Sequence, residues 1–274
     1  MRKSVPNNES AALPAAGPAQ TVGRAIQLLR LVASSRSREV ILVDLASMAG
    51  LQKSTAHRLL QRLVAERLLT HEAGRRGYRL GPLLYELGLA AFPESNLREV
   101  AQSSLEELAQ KTGDMAFLLM RSGYEAVCLQ RVAGNFAIQT MTAGIGDRHP
   151  LGVGAGSLAI LAAMDDPTIE RVIEAAAPQL GRYGLDANTL RARVIEARTR
   201  GYTVDEGGAA TDVTAVGRAI RDRHGAPVGA VFVASIRSRM TTARIVETSK
   251  RIGSTVKAIE SALTGLEHDG RGQR

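Results

Sequence analysis

The sequence has no tryptophan, and its five tyrosines and four phenylalanines make up only 3% of the chain. So few rings exclude the stacking platforms that hold single-stranded nucleic acid. A single cysteine, Cys128, excludes an intramolecular disulfide framework and any zinc site built on several thiolates. It alternates with apolar neighbours at strand spacing and reads as core. No apolar run reaches the length of a membrane-spanning helix. Met1-Arg2-Lys3 is followed by polar residues, so no secretory signal is expected and the cytoplasm is the expected location. Catalytic signatures are missing as well: there is no Gly-x-Ser-x-Gly elbow, no Walker A loop and no His-Glu-x-x-His pair. His57, His71, His149, His224 and His268 lack metal-ligand spacing. No catalytic residue, metal or cofactor is expected, and the chain does not read as an enzyme.

What is present is an ordinary globular composition, 45% hydrophobic and 23% charged, in 274 residues. That length suits one large domain or two modest ones. The net charge is +8, and all of the surplus lies in residues 1–85, with thirteen basic and five acidic side chains. The remainder is balanced. A basic module joined to a neutral one suggests a polyanion binder coupled to something else.

The chain divides accordingly. Residues 1–20, with Pro6, Pro14, Gly17 and Pro18, are expected to form a disordered tail. A first helix is expected from Thr21, with Val22, Ala25, Ile26, Leu29 and Val32 on one apolar face. A second spans about Val43 to Ala49 and stops at Gly50. A third runs from about Lys53 to Arg67. Two extended pieces, Leu68–Glu72 and Gly77–Leu80, flank a Gly-containing loop and read as a hairpin. Helix, helix, turn, helix, hairpin is a winged helix-turn-helix, assigned to 21–81. Residues 82–112 read as linker helices. Residues 113–266 alternate strands (115–120, 126–132, 137–141, 216–221, 228–235) with helices and end in a long helix from Thr242. Asp222-Arg223-His224-Gly225 reads as a tight turn between antiparallel strands. The fold class is α+β, and residues 267–274 form a second tail.

The third helix carries the nucleic-acid signal. With Ala56, Leu59, Leu60 and Leu63 turned inward, its other face presents Lys53, Ser54, Thr55, Arg58 and Arg62, and Gln52 precedes it. The first residues of a recognition helix reach base edges in the major groove. Gln pairs with adenine, Arg or Lys with guanine, and a Thr methyl meets a thymine methyl. His57 reads either as a base contact or as an ordinary helix-surface residue. Arg75 and Arg76 at the hairpin tip are placed to reach the backbone or the minor groove. A solvated polar face is the commoner origin of such a stripe. Here the Gly-centred turn, the arginine hairpin and the segregated charge point together to double-stranded DNA.

Leu42-Val43-Asp44-Leu45-Ala46, the run Gly50-Leu51-Gln52-Lys53-Ser54-Thr55-Ala56-His57-Arg58-Leu59-Leu60 and Tyr78-Arg79-Leu80-Gly81-Pro82 resemble the DNA-binding half of IclR-family transcriptional regulators. Gly146-Asp147-Arg148-His149-Pro150-Leu151, Gly201-Tyr202-Thr203-Val204-Asp205-Glu206 and Ile220-Arg221-Asp222 follow in that family's order. The resemblance covers about residues 21–266. It implies an N-terminal winged helix-turn-helix, a linker helix and a C-terminal GAF-like effector domain. It also implies homodimers or tetramers on palindromic operators, often beside catabolic genes, with small organic acids or aromatic metabolites as effectors, and most often repression.

The second module is expected to hold a small molecule. Gly152, Gly154 and Gly156 precede an apolar helix, and helix N-terminal amides suit a carboxylate, although glycines there also serve close packing or a turn. Gly154-x-Gly156-x-x-Ala159 is not read as a dinucleotide site, because no buried strand precedes it and no βαβ unit follows. The resemblance places effector contacts at Gly154, Ala155, Asp205, Ala215, Phe232 and Ala234. Where many members have serine in the late strand, this chain has Phe232 and Ala234. The pocket is therefore expected to be apolar and to favour an aromatic or hydrophobic carboxylate, although both residues also read as strand core. Asp205 and Glu206 read as solvated rather than as an acid–base pair. Two alternatives differ in kind. One is a DNA-binding protein whose second domain only oligomerises. The other is a GAF-like enzyme resembling free methionine sulfoxide reductases, which Cys128 alone cannot run.

Overall fold

The computed structural model describes residues 18–35, 39–71, 77–91, 97–140, 142–207 and 211–269. The chain folds into two compact units that divide between residues 91 and 92.

The first unit contains α1 (Pro18–Ser34), β1 (Val40–Ile41), α2 (Leu42–Met48), α3 (Lys53–Ala65), β2 (Leu69–Thr70), β3 (Gly77–Leu80) and α4 (Pro82–Ala91). The helix expected at Thr21 begins at Pro18, because proline's fixed φ suits a first helical turn. Its buried residues also differ from the expected face. Leu28 and Val32 are buried, whereas Val22 and Ile26 are exposed. Leu28, Val32, Leu45, Leu60, Leu63, Leu69 and Tyr78 form one small core. The hairpin is real: Leu69 and Thr70 pair antiparallel with Leu80 and Arg79, and β1 adds on the other side of β3.

The second unit contains α5 (Leu97–Thr112), β4 (Met115–Ser122), β5 (Glu125–Val132), β6 (Arg148–Pro150), α6 (Ala155–Ala162), α7 (Asp166–Leu180), α8 (Ala187–Arg200), β7 (Thr203–Glu206), β8 (Val213–Arg221), β9 (Pro227–Ile236) and α9 (Thr242–Asp269). Its six strands form one sheet in the order β6-β5-β4-β9-β8-β7, with antiparallel neighbours throughout. Alternation along each strand feeds two cores. Phe117, Leu119, Phe232 and Ala234 face α6, α7 and α8. Ala116, Leu118, Val231 and Val233 face α5 and α9. α5, read from the sequence as a linker helix, buries Ala101, Leu105 and Leu108 in that second core.

The strand expected at 137–141 is absent from residues 137–140, and Met141 lies outside the described residues. Close approach of Gly134 to Gly113 turns the chain back, and Phe136 N donates to Gly113 O at 2.9 Å. Ala137 and Ile138 are exposed, so the short apolar run there is no sheet face. The sheet is completed by β6 and β7, two short edge strands. Their polar composition and Pro150 hide them from an apolar-pattern reading, and an edge is where a sheet tolerates proline.

Asp114, 2% exposed, ties the sheet to α9. It accepts from Ser235 Oγ at 2.7 Å, Arg239 Nε at 2.9 Å and Arg244 Nη2 at 2.8 Å. Removing one member of a buried ionic cluster strands the others. Asp114→Ala is therefore expected to cost about 3–5 kcal/mol, seen as a lower urea midpoint for the second unit.

Candidate DNA interface and effector pocket

α2 and α3 are joined by a turn at Ala49–Gln52. Gly50 lies at φ +63°, a region that disfavours any side chain bearing Cβ. Leu51 N donates back to Ala46 O at 2.9 Å, and Ala56 is fully buried. α3 buries Ala56, Leu60 and Leu63. Gln52, Lys53, Ser54, His57, Arg58 and Arg62 are exposed, and Thr55 is half-buried. The sequence-predicted face is thus brought together on one helix. Gln52 stands at the N-cap position but makes no side-chain cap bond, so the first amides of α3 have no side-chain competitor for a phosphate oxygen. Arg62 pairs with Glu66 at 2.6 Å in a surface ion pair of the kind that contributes little and exchanges readily. Arg75 and Arg76 lie outside the described residues.

In the second unit a cavity of about 40 Å³ lies between the start of α6, strands β4, β7, β8 and β9, and residues of the segment 142–153. Five of the six expected effector residues meet there: Gly154, Ala155, Asp205, Ala215 and Phe232. Ala234 lies beside it, buried and paired in register with Ala215, and its carbonyl accepts from Thr140 Oγ1 at 3.0 Å. Phe232 stacks on Phe117 with ring centroids 4.4 Å apart and forms the cavity floor. Gly156 serves packing. A Cβ there would stand 2.6 Å from Leu119 Cδ1 and 2.7 Å from Phe232 Cδ1.

One expectation is corrected. Asp205 is not solvated: it is 3% exposed and ion-paired with Arg193 of α8. Glu206, next along the strand, is exposed, so the two carboxylates face opposite sides and form no acid–base pair. The pocket is mostly apolar, as expected, and elements other than the late strands add the hydroxyls of Thr142 and Ser157 and the imidazole of His149. Ser157 Oγ donates to Val153 O. His149 Nδ1 and Thr142 Oγ1 are buried and have no hydrogen-bond partner among the described residues. Burial pushes the His149 imidazole below its usual range, against the pull of Asp147 and Glu125. His149 was within reach of sequence reasoning, since it lies inside the Gly146–Leu151 motif. Thr142 adjoins the segment misread as a strand and carried no signal.

Cys128 is core, as expected, and burial pushes its thiol up to about 11. Among the described residues no cluster of His, Cys, Asp and Glu could hold a metal ion. None of the described helices is long and apolar enough to cross a membrane.

A winged helix-turn-helix followed by an α+β domain with a pocket of its own defines a class of DNA-binding transcriptional regulator. Residues 21–73 match the profile described as "IclR helix-turn-helix domain", and residues 89–261 match "Bacterial transcriptional regulator IclR C-terminal". The chain belongs to the IclR family of bacterial transcriptional regulators, a family of regulators rather than enzymes. It is 26% identical over 267 residues to the transcriptional repressor IclR of Escherichia coli K12, covering 93% of this chain and 94% of that one. It is 26% identical to the regulator KipR of Bacillus subtilis 168, covering 85% and 92%. The fold is shared with an IclR regulator from Alicyclobacillus acidocaldarius (TM-score 0.73, 21% identity, 89% and 98% of the chains). It is also shared with an IclR homologue from Microbacterium hydrocarbonoxydans, solved with 4-hydroxybenzoate (TM-score 0.73, 23% identity, 89% and 99%).

Phe232→Ala should enlarge the cavity and remove the stack on Phe117. A stability loss of about 3–5 kcal/mol is expected by thermal unfolding. Calorimetry should show bulkier carboxylates gaining affinity relative to small ones.

Proposed function

We propose that the protein is a cytoplasmic, sequence-specific repressor of a catabolic operon, released or engaged by a small carboxylate effector. The observation that carries this reading is the exposed polar and basic face of α3, set on an uncapped N-terminus behind the Gly50 turn. Gln52, Lys53, Ser54, Thr55, His57, Arg58 and Arg62 are assigned to the DNA, with Arg75 and Arg76 at the wing. Repression is also what the names of the similar Escherichia coli and Salmonella typhimurium proteins record of them.

Function as a homodimer or tetramer on a palindromic operator fits the geometry of helix-turn-helix binding, in which half-site symmetry mirrors that of the protein. Val22 and Ile26 on α1, and Tyr85 and Leu87 on α4, are exposed apolar side chains suited to such contacts. Residues 82–112 are assigned as the relay: α4 ends the first unit, and α5 is built into a core of the second.

The effector site is the cavity at the start of α6. Its carboxylate goes to the α6 amides beside Gly154 and Ala155, where a helix N-terminus stabilises an anion by about 0.3–1 kcal/mol or more when partly buried. Asp205 opposes an anion there, and its ion pair with Arg193 offsets that charge. Phe232, Leu119, Val153 and Val213 provide an apolar wall for the ligand body. An apolar cavity of about 150 Å³ takes a benzene ring. The present 40 Å³ is smaller, so an aromatic acid enters only with displacement of the Phe232 side chain or of the segment 142–153. The Microbacterium hydrocarbonoxydans neighbour, solved with 4-hydroxybenzoate, supports that ligand class.

The test is anisotropy of labelled DNA from the gene's own upstream region, at about 150 mM salt with excess non-specific competitor. Binding should survive competitor, and a carboxylate effector should change it. Arg58→Ala should weaken specific binding by about 1–3 kcal/mol if it reads a base. Replacing Arg75 or Arg76 should weaken all sequences alike and flatten the salt slope by about one unit per phosphate contact. Loss of all binding under competitor would contradict the reading.

A further inference from the structure

We propose that the effector carries a hydroxyl group as well as a carboxylate, and that His149 and Thr142 are the residues that select for that hydroxyl. The inference rests on the effector reading above and deepens it. His149 and Thr142 both line the same cavity, and His149 Nδ1 and Thr142 Oγ1 are both buried without a hydrogen-bond partner among the described residues. Buried polar atoms in folded proteins are almost always satisfied, and each exception asks for an explanation. The other polar side chains on these walls are already engaged: Ser157 Oγ with Val153 O, and Asp205 with Arg193.

Both groups are also held in place. His149 sits in β6, in register with Ala126. Thr142 N donates to Thr140 O at 3.2 Å, and the Thr140 hydroxyl is itself anchored on Ala234 O at 3.0 Å. The pair is thus preorganised, and what it lacks is a complementary group.

The chemistry narrows that group. A neutral imidazole offers Nδ1 as acceptor in one tautomer and donor in the other, and a threonine hydroxyl donates or accepts. A hydroxyl can donate to one and accept from the other at once, whichever tautomer is present. A carboxylate only accepts, so it fits one tautomer alone, and it would stand among the charges of Asp147 and Glu125, which already act on His149. An ammonium only donates. The class is therefore a hydroxylated carboxylate, acid end on α6 and hydroxyl between His149 and Thr142.

The experiment is titration calorimetry on the full-length protein with matched pairs: 4-hydroxybenzoate against benzoate, and lactate against propanoate. In at least one pair the hydroxylated member should bind about tenfold tighter or more. Thr142→Val and His149→Leu should each bring the two members of that pair to within about twofold of one another. Thr142→Val also carries a ligand-free readout. Replacing an unsatisfied buried hydroxyl by methyl should keep or raise the thermal midpoint, and a marked fall would mean that the hydroxyl already has a partner. Equal binding of both members to wild type would overturn hydroxyl selection while leaving the effector pocket standing. So would variants that weaken both members alike, the result expected if a water fills the gap. If no member of either pair binds or alters DNA affinity, the effector reading itself falls, and this inference with it.

Discussion

α6 reaches the sheet only because residue 156 has no side chain. Leu119 and Phe232 occupy the space a Cβ would need, and Thr203 Oγ1 donates to Ala155 O at 2.8 Å from the other side. These contacts bring the first turn of the helix down onto β4, β8 and β9, so its free amides open beside the cavity lined by Leu119 and Phe232. The Phe117–Phe232 stack backs one wall of that cavity. Anion affinity at a helix N-terminus grows as water is excluded. The proposed effector site thus depends on the seating of the helix on the sheet.

The sheet that carries this contact serves two layers at once. Its strands send alternate residues to α6, α7 and α8 on one face and to α5 and α9 on the other. A displacement of Phe232 by a ligand would be felt by Val231 and Val233, its chain neighbours, which lie in the core containing α5. Packed interiors transmit such strain because they compress little. The buried Asp114 cluster closes the same layer by fastening α9 to the strand ends. An effector can change DNA binding only if it prefers one arrangement of the protein to another. A sheet shared by the pocket and α5 offers a physical route to that preference.

In the first unit the legible features are local ones. Gly50 announces a turn that needs positive φ, the 3.6-residue spacing of Ala56, Leu60 and Leu63 sets the buried side of α3, and the outward Lys53, Arg58 and Arg62 follow from it. The hairpin between Leu69 and Leu80 was readable for the same reason. Local spacing was less reliable where several faces are apolar. In α1, Val22 and Ile26 remain exposed because they stand about 120° around the helix from the buried Leu28 and Val32.

The sequence by itself determined the order of the helices, the exposed polar and basic face of α3, the central strands and the glycine-rich start of α6. Each depends on periodicity or backbone freedom within a few residues. Only the tertiary structure decided the rest. β6 and β7 are strands because an edge accepts polar residues and a proline that a central strand rejects. Residues 137–140 are not a strand because Gly134 folds against Gly113. Asp205 is buried rather than solvated because Arg193, on a different element, reaches it. His149 and Thr142 line one cavity together with residues of β4, β7, β8 and β9, an assembly of distant elements that no local pattern of side chains encodes.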